Sequence, residues 1–240
     1  MVTRTLAVIL GAGPGTGAAL ASAFSAQHSV ALLARNKDAL QAVGDQLRSA
    51  GGDAAEFSCD ASSAESVAAA FSAIKERYPD HQLKAAIFNA ASPFIAKPFL
   101  ETSPKDYDAG VGLNIYGAFH FSQKVIPLML ESGGGFLSFS GATAGLKGSA
   151  NFAAYAPTKF ALRGMSQSLA REFGPKGIHV VHAVIDGLID TKRVSGFAGE
   201  AEPDSRIDPA AIASTLFNLS QQPKSCWTHE LDLRPFAEKW

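Results

Sequence analysis

Short apolar runs alternate with longer helical patterns along this chain, and that alternation limits the fold more than any other feature. Residues 6–10 and 30–33 are apolar without interruption, as expected for strands that are buried on both faces of a parallel sheet. Strands that alternate with helices indicate a parallel sheet covered by helices. We therefore predict a doubly wound, three-layer α/β fold with a seven-stranded parallel sheet.

The element boundaries follow from the same pattern. Strands are predicted at residues 5–10, 29–34, 53–58, 84–89, 135–140, 179–185 and 230–233, and helices near 15–27, 37–50, 63–77, 104–131, 154–173 and 209–221. No repeat or linker interrupts this pattern, so residues 1–240 are predicted to be one domain. Residues 188–208 lack periodicity. We predict that they form a substrate lid, since long irregular segments in compact domains are commonly functional; a mobile surface loop is the alternative.

Composition excludes several classes of function. The net charge is −1 and no basic run is present, so nucleic acid is not an expected partner. The two cysteines form no Cys-x-x-Cys pattern, which favours reduced thiols in a cytoplasmic protein. The apolar stretch 5–24 contains four glycines and Pro14, so a strand and turn are expected there rather than a membrane span. His179 and His182 are three residues apart on a predicted strand and should face opposite sides, so no shared metal is expected.

Four glycines lie within seven residues directly after the first predicted strand, in the run Gly11-Ala12-Gly13-Pro14-Gly15-Thr16-Gly17. Glycines allow the backbone to approach a pyrophosphate closely. The N terminus of the following helix offers free N–H groups and the positive end of its dipole to such an anion. We therefore predict that this turn binds dinucleotide phosphates; an ordinary strand–helix turn is the alternative.

Tyr155 and Lys159 are four residues apart at the start of a helical pattern. On a helix they share one face, and an ammonium beside a phenol favours the phenolate and lowers the pKa of the phenol. Such a phenol is suited to act as the general acid of carbonyl reduction. Tyr-x-x-x-Lys also occurs by chance, but together with the glycine turn it indicates a nucleotide-dependent enzyme. Pro157 is tolerated only in a first turn, so the helix should begin near residues 153–155.

Over essentially its whole length the chain resembles the short-chain dehydrogenase/reductase family. Gly11, Gly15 and Gly17 match the Gly-x-x-x-Gly-x-Gly turn of that family, and Tyr155 and Lys159 match its Tyr-x-x-x-Lys pair. Further segments are similar to family motifs: Phe88-Asn89-Ala90-Ala91, Asn114 in the long helix, and Asp186-Gly187-Leu188-Ile189-Asp190-Thr191, in which Asp186 replaces a proline. The resemblance implies a Rossmann-type fold and a dinucleotide-binding catalytic domain over residues 1–240.

The resemblance also implies a role for each matching residue. Tyr155 would protonate the developing alkoxide, Lys159 would bind the nicotinamide ribose and lower the pKa of Tyr155, and Asn114 would hold a water that links Lys159 to solvent. The backbone of Ile189 and the hydroxyl of Thr191 would contact the nicotinamide amide, and Asp60 the adenine. The expected cofactor-binding residues are Gly11, Pro14, Gly15, Thr16, Gly17, Arg35, Asn36, Asp60, Asn89, Ala90, Tyr155, Lys159, Ile189 and Thr191.

Arg35 bears on the choice of cofactor. It follows the second predicted strand, where relatives that prefer NAD tend to place an acidic residue. A guanidinium at this point can instead make charge-assisted hydrogen bonds to a 2′-phosphate. We predict NADP(H); a surface arginine that caps the next helix is the alternative.

The substrate-orienting serine of the family has no single counterpart here. Counting 13 residues back from Tyr155 reaches Ala142, whereas counting from the strand reaches Gly141. After a one-residue shift, Ser140 or Thr143 could supply the hydroxyl. In the remaining alternative no hydroxyl is present, and Tyr155 alone holds the carbonyl.

These observations predict NADPH-dependent reduction of a small or medium hydrophobic ketone or aldehyde, or oxidation of the matching alcohol. The pocket is expected to be bounded by residues 92–94, 142–145, Phe152 and 188–208, which are mostly apolar. Two alternatives stay open: a catalytically impaired NADP(H)-binding sensor or scaffold, and enoyl reduction or epimerisation on the same apparatus. Relatives often assemble through two long helices, so the resemblance implies a homodimer or homotetramer.

Overall fold

Seven strands form one parallel sheet in the computed structural model, which describes residues 4–237. The strands are β1 (Thr5–Leu10), β2 (Ser29–Ala34), β3 (Ala54–Ser58), β4 (Gln82–Phe88), β5 (Gly135–Ser140), β6 (Ile178–Ile185) and β7 (Glu230–Leu233). Their order is β3-β2-β1-β4-β5-β6-β7, and every neighbouring pair is parallel. The predicted Rossmann-type, doubly wound fold is confirmed. Residues 1–3 and 238–240, the ends of the predicted domain, lie outside the described residues.

Eight α-helices occur in the described part of the chain: α1 (Thr16–Ser25), α2 (Lys37–Ser49), α3 (Ala64–Arg77), α4 (Pro104–Gly110), α5 (Ala118–Glu131), α6 (Ala156–Phe173), α7 (Lys192–Ala198) and α8 (Pro209–Ser220). A π-helical segment, Val111–Gly117, joins α4 to α5. Short 3₁₀ turns lie at Phe99–Glu101, Thr143–Gly145 and Gly174–Lys176. Within residues 4–237, no helix is long and apolar enough to cross a membrane.

Two apolar layers cover the sheet, one on each face. Side chains from α3, α5 and α6 pack on Val8 and Leu10 of β1, whereas those from α1, α2 and α8 pack on Ala7 and Ile9. Because successive side chains of a strand point to opposite faces, β1 needs an apolar residue at each of these positions. The strand order reverses between β1 and β4, and ligands of such sheets bind at this point, outside the carboxyl ends of the strands.

The structure corrects two of the predicted helices. The helix expected over residues 104–131 is divided into α4, the π-helical segment and α5. The helix expected from residue 154 begins at Ala156, with Tyr155 as its N-cap residue and Pro157 in its first turn. The limit that Pro157 places on the start of α6 therefore agrees with the structure to within one residue.

The sequence predicted no regular secondary structure in residues 188–208, and this prediction is wrong in part. Helix α7 occupies Lys192–Ala198, and the hydroxyl of Thr191 begins it by accepting a hydrogen bond from the backbone N–H of Val194. Helix α7 has no buried residue, so it lacks the apolar stripe by which sequence periodicity reveals a helix. The ends of this segment pair with each other in a parallel bridge between Ile189 and Ile207.

Candidate active site

The glycine turn lies at the point where the strand order reverses, between β1 and α1. Gly11 has φ +92°, and a Cβ at this position would lie 2.5 Å from the backbone nitrogen of Ala90. No side chain caps α1, and the N–H groups of Thr16 and Gly17 have no hydrogen-bond partner among the described residues. The turn therefore offers free backbone donors to an anion such as a phosphate, and Gly11 is required because the backbone of Ala90 lies against it. Pro14 is exposed at its tip.

Thr191 closes the other side of this turn. A Cβ on Gly15, which has φ +95°, would lie 2.7 Å from Cγ2 of Thr191. The segment that contains Ile189 and Thr191 therefore lies against the glycine turn, as the motif resemblance predicts. Both segments lie at the carboxyl edge of the sheet, where ligands of such sheets bind in a crevice.

Asn89 connects three strand ends at the floor of the crevice. Its backbone N–H donates to the carbonyl of Leu10 (2.8 Å), and its Nδ2 donates to the carbonyl of Gly11 (3.1 Å). Its Oδ1 accepts a hydrogen bond from the hydroxyl of Ser140 (3.0 Å). The side chain of Asn89 thus fixes the glycine turn relative to the end of β5.

Arg35 is exposed beyond the end of β2 and has no hydrogen bond or ion pair with the described residues. Its alternative role as a helix cap is wrong, because Oδ1 of Asn36 caps α2 by accepting a hydrogen bond from the N–H of Ala39 (3.0 Å).

Asp60 lies near the charge of Arg35. The pKa of the Asp60 carboxyl is lowered chiefly by a hydrogen bond from the hydroxyl of Ser62 (2.7 Å), with a smaller contribution from the Arg35 guanidinium.

Lys159 lies one helical turn after Tyr155 and is 2% exposed. Its Nζ donates to the carbonyl of Ser140 (3.3 Å) and lies 5.9 Å from the centroid of the Tyr155 ring. Burial lowers the pKa of Lys159 to about 8, which allows the ammonium to exchange a proton near neutral pH.

Two phenylalanine rings shield Tyr155. The ring of Phe94 lies edge-on to it at 5.5 Å between centroids, and that of Phe152 at 6.3 Å. Burial raises the pKa of the Tyr155 phenol. The predicted lowering of this pKa by Lys159 is therefore wrong, because burial disfavours the charged phenolate.

Asn114 lies in the π-helical segment and is fully buried. Its Nδ2 donates to the hydroxyls of Ser92 (3.0 Å) and Thr158 (2.8 Å). The second bond connects this segment to α6, next to Lys159. Both amide hydrogens are engaged, which leaves Oδ1, whose one bond is a long 3.4 Å contact with the N–H of Ser92, as the side-chain atom that could accept a hydrogen bond from a water.

The family model for short chain dehydrogenases matches residues 5–200. The chain belongs to the short-chain dehydrogenase family. A crystal structure of a short-chain dehydrogenase from Rhodopseudomonas palustris is 33% identical and covers 97% of this chain and 99% of that one, with a TM-score of 0.82. A D-threitol dehydrogenase of Mycolicibacterium smegmatis is 32% identical over 176 residues, 73% of this chain and 66% of that protein. A metagenomic short-chain oxidoreductase in complex with NADP is 24% identical, covers 99% of both chains and has a TM-score of 0.82, which shows a shared fold.

Neither hydroxyl that the sequence offers in place of the family serine is a free donor in this short-chain dehydrogenase. The hydroxyl of Ser140 donates to Asn89, and that of Thr143 donates to Oδ1 of Asp186. Ala142 has no hydroxyl. These contacts favour the alternative in which Tyr155 alone holds the substrate oxygen.

Sequence reasoning missed a partly buried network of His182, Glu230 and Arg163, the last of which lies one turn after Lys159 on α6. His182 is fully buried, and its Nδ1 lies 3.1 Å from Oε2 of Glu230. Arg163 clamps the same carboxylate with Nε at 2.7 Å and Nη2 at 2.8 Å. Burial lowers the pKa of His182 to about 4, so the imidazole is neutral and its Nδ1 donates to Glu230. Lys159 and Arg163 are four residues apart and share one helix face, and this spacing is the sequence signal that could have revealed the network.

Exposed apolar side chains on the segments beside the site, which we call the apolar rim, are Phe94 next to Tyr155 and Leu188 and Phe197 in the segment that contains Thr191. Phe94 and Phe152 lie edge-to-face with 5.3 Å between their centroids. Arg206 connects the end of residues 188–208 to α7. It donates to the hydroxyl of Ser195 (2.9 Å) and to the carbonyl of Gly199 (2.6 Å). A separate cavity of about 290 Å³ adjoins Phe152 but is not lined by Tyr155.

Proposed function

We propose that this chain is an NADP(H)-dependent oxidoreductase that interconverts a carbonyl compound and an alcohol, with Tyr155 as the general acid and base. The observation that carries this proposal is the position of Tyr155 beside a fully buried Lys159, at the same edge of the sheet as the glycine turn. In this proposal residues 1–240 act as one cytoplasmic catalytic domain, 188–208 cover the substrate, and copies assemble as a homodimer or homotetramer.

The residues of the crevice fit a nicotinamide dinucleotide. Its pyrophosphate would lie at the glycine turn that contains Gly11 and Gly15, against the free N–H groups of Thr16 and Gly17. The other contacts proposed from the family motifs are Pro14, Asn36, Asp60, Asn89, Ala90, Ile189 and Thr191. When bound, the cofactor supplies or accepts the hydride.

Arg35 supports NADP(H) over NAD(H). Its guanidinium is exposed and makes no hydrogen bond or ion pair with the described residues, so it can pair with a 2′-phosphate without breaking such a contact. No acidic side chain occupies the neighbouring positions, which are Ala34 and Asn36. The metagenomic relative that was crystallised with NADP has the same fold, which agrees with this preference.

Side chains of the protein would donate the proton to the substrate and then restore it to the donor. During reduction the carbonyl carbon gains a hydride and the oxygen gains the phenolic proton of Tyr155. Because burial raises the pKa of Tyr155, the phenol is protonated at neutral pH and ready to donate. Lys159, whose pKa is about 8, would bind the nicotinamide ribose and return a proton to Tyr155. Asn114 would hold a water for that exchange.

The apolar rim supports a hydrophobic ketone or aldehyde as substrate. Phe94, Phe152, Leu188 and Phe197 offer no charge to a polar group, and the first two pack against the ring of Tyr155. Since Ser140 and Thr143 donate elsewhere, the substrate oxygen has one proposed donor. We expect a rate about a hundredfold below that of a site with a second positioned donor.

The engaged hydroxyls also favour a second candidate function, an NADP(H)-binding sensor or scaffold in which catalysis is impaired. The test is consumption of NADPH and of NADH by the purified protein in the presence of ketones, aldehydes, quinones and enoyl compounds. Turnover of a ketone or aldehyde with preference for NADPH would support the proposal. Tight NADPH binding without turnover of any compound would favour the sensor, and turnover of the enoyl compounds alone would identify an enoyl reductase.

A further inference from the structure

Asp186 follows β6 at the carboxyl edge of the sheet, where the family usually has proline. Its side chain is 15% exposed and carries two strong contacts. The hydroxyl of Thr143 donates to Oδ1, and Nη2 of Arg234 lies 3.0 Å from Oδ2. These two contacts hold the Asp186 carboxylate in a fixed position.

Asp186 faces the reactive end of the crevice. It lies four residues after His182 in the strand direction, and even spacing places two side chains on the same face of a sheet. Val180 of β6 packs in the same apolar layer as Leu162 of α6, so the even-numbered side chains of β6 face α6, the helix that carries Lys159. Lys159 in turn donates to the carbonyl of Ser140 at the end of β5, and Thr143 follows this strand end. The carboxylate is therefore on the side of the sheet where Tyr155 and Lys159 act.

The cations near Asp186 do not fully neutralise the negative charge of its carboxylate. Nη2 of Arg234 also lies 2.5 Å from Oδ2 of Asp232, so one guanidinium is shared between two carboxylates. Arg163 is paired with Glu230, and His182 is neutral. Arg206 lies 3.7 Å from Asp190.

We propose that Asp186 makes the site favour the oxidised cofactor and so favours alcohol oxidation over carbonyl reduction. The nicotinamide ring is cationic in NADP⁺ and neutral in NADPH, so a fixed carboxylate at this end of the crevice stabilises NADP⁺ selectively. In a partly buried site, one charge at short range changes such a preference by on the order of tenfold. This inference rests on the proposed function.

The test measures the dissociation constants of NADP⁺ and NADPH by isothermal titration calorimetry, without substrate. In Asp186→Asn we expect the ratio of the NADP⁺ constant to the NADPH constant to rise by on the order of tenfold. Arg234→Gln removes the cation that Asp186 shares with Asp232 and should shift this ratio in the opposite direction, which gives a second result if Asp186→Asn fails to fold. Asp190→Asn removes an exposed carboxylate from the same segment and should change the ratio less than about twofold.

The outcomes separate this inference from the proposed function. A wild-type protein that binds neither cofactor would overturn both. A wild-type protein that binds both, with the same ratio in Asp186→Asn and in Arg234→Gln, would overturn the role of Asp186 alone. Equal weakening of both cofactors in Asp186→Asn would also overturn it, because it would show that Asp186 supports the shape of the site and not its charge.

Discussion

The imidazole of His182 occupies the space that a side chain at Gly141 would need. A Cβ on Gly141 would lie against Nε2 of His182 and 2.6 Å from its Cε1. His182 cannot turn away freely, because it is fully buried and Nδ1 is held by Glu230. The position at which the strand register places the family serine therefore has no room for one.

Gly141→Ser should consequently destabilise the protein. We expect a loss of about 1–3 kcal/mol in the free energy of unfolding, the usual cost of overpacking, measured by urea denaturation. Gly148→Ser is the matched control, since nothing lies within 4 Å of a Cβ at that position. The double variant Gly141→Ser, His182→Ala should recover part of the loss. If the Gly141→Ser protein is as stable as wild type, the side chain at position 141 does not clash with His182.

His182 should make stability depend on pH. Its pKa falls from an ordinary value of 6.5 to about 4 on folding because burial disfavours the charged ring. Below pH 6.5 the unfolded chain binds a proton that the folded protein does not, so stability is lost as the pH falls from 6.5 toward 4. The stability advantage of wild type over His182→Gln should shrink by on the order of 1–2 kcal/mol between pH 7 and pH 5. If the difference in stability between wild type and His182→Gln stays constant over this pH range, His182 binds protons equally in the folded and unfolded states.

Arg35→Ala should weaken NADPH binding by on the order of tenfold and leave NADH binding unchanged, because only NADPH carries the 2′-phosphate. The side chain has no contact to lose within the described residues, so thermal stability should not change. Arg77→Ala removes another surface arginine, one that pairs with Asp53 at 3.0 Å, and should alter neither affinity. Equal weakening of NADH and NADPH would refute the contact with the 2′-phosphate.

Lys159→Met should stabilise the fold while it abolishes turnover. Burial of the ammonium lowers its pKa to about 8 from an ordinary 10.5, so at neutral pH the charged form costs folding free energy that methionine does not. We expect a higher melting temperature together with a turnover reduced by a hundredfold or more, on the order of the contribution of a positioned acid–base group. Lys159→Arg keeps the charge and should not gain this stability. A less stable Lys159→Met protein would show that the lysine supports the fold.

The parts of the fold that depend on local pattern could be predicted from the sequence. The apolar run of β1 and the glycines after it determined the first strand and turn, and Pro157 limited the start of α6. The π-helical segment around Asn114 could not be predicted, because a local change from i+4 to i+5 hydrogen bonds leaves the apolar pattern almost unchanged. Helix α7 is exposed and has no apolar stripe.

The parts of the site that depend on tertiary contact were not visible in the sequence. Thr143 and Asp186 are 43 residues apart, and His182 and Glu230 are 48 apart, so neither pairing follows from local spacing. The direction of the pKa shift of Tyr155 was also mispredicted. The sequence shows the neighbouring lysine, whereas the burial beneath Phe94 and Phe152 exists only in the folded chain.

The measurement that tests the central claim most directly compares wild type with Tyr155→Phe, using a carbonyl compound that wild type reduces. Removal of one hydroxyl leaves the ring contacts with Phe94 and Phe152 in place, so NADPH affinity should stay within about threefold of wild type. The proton donor is lost, and NADPH consumption should fall by on the order of a hundredfold or more. A Tyr155→Phe protein that consumes NADPH at the wild-type rate would contradict the account.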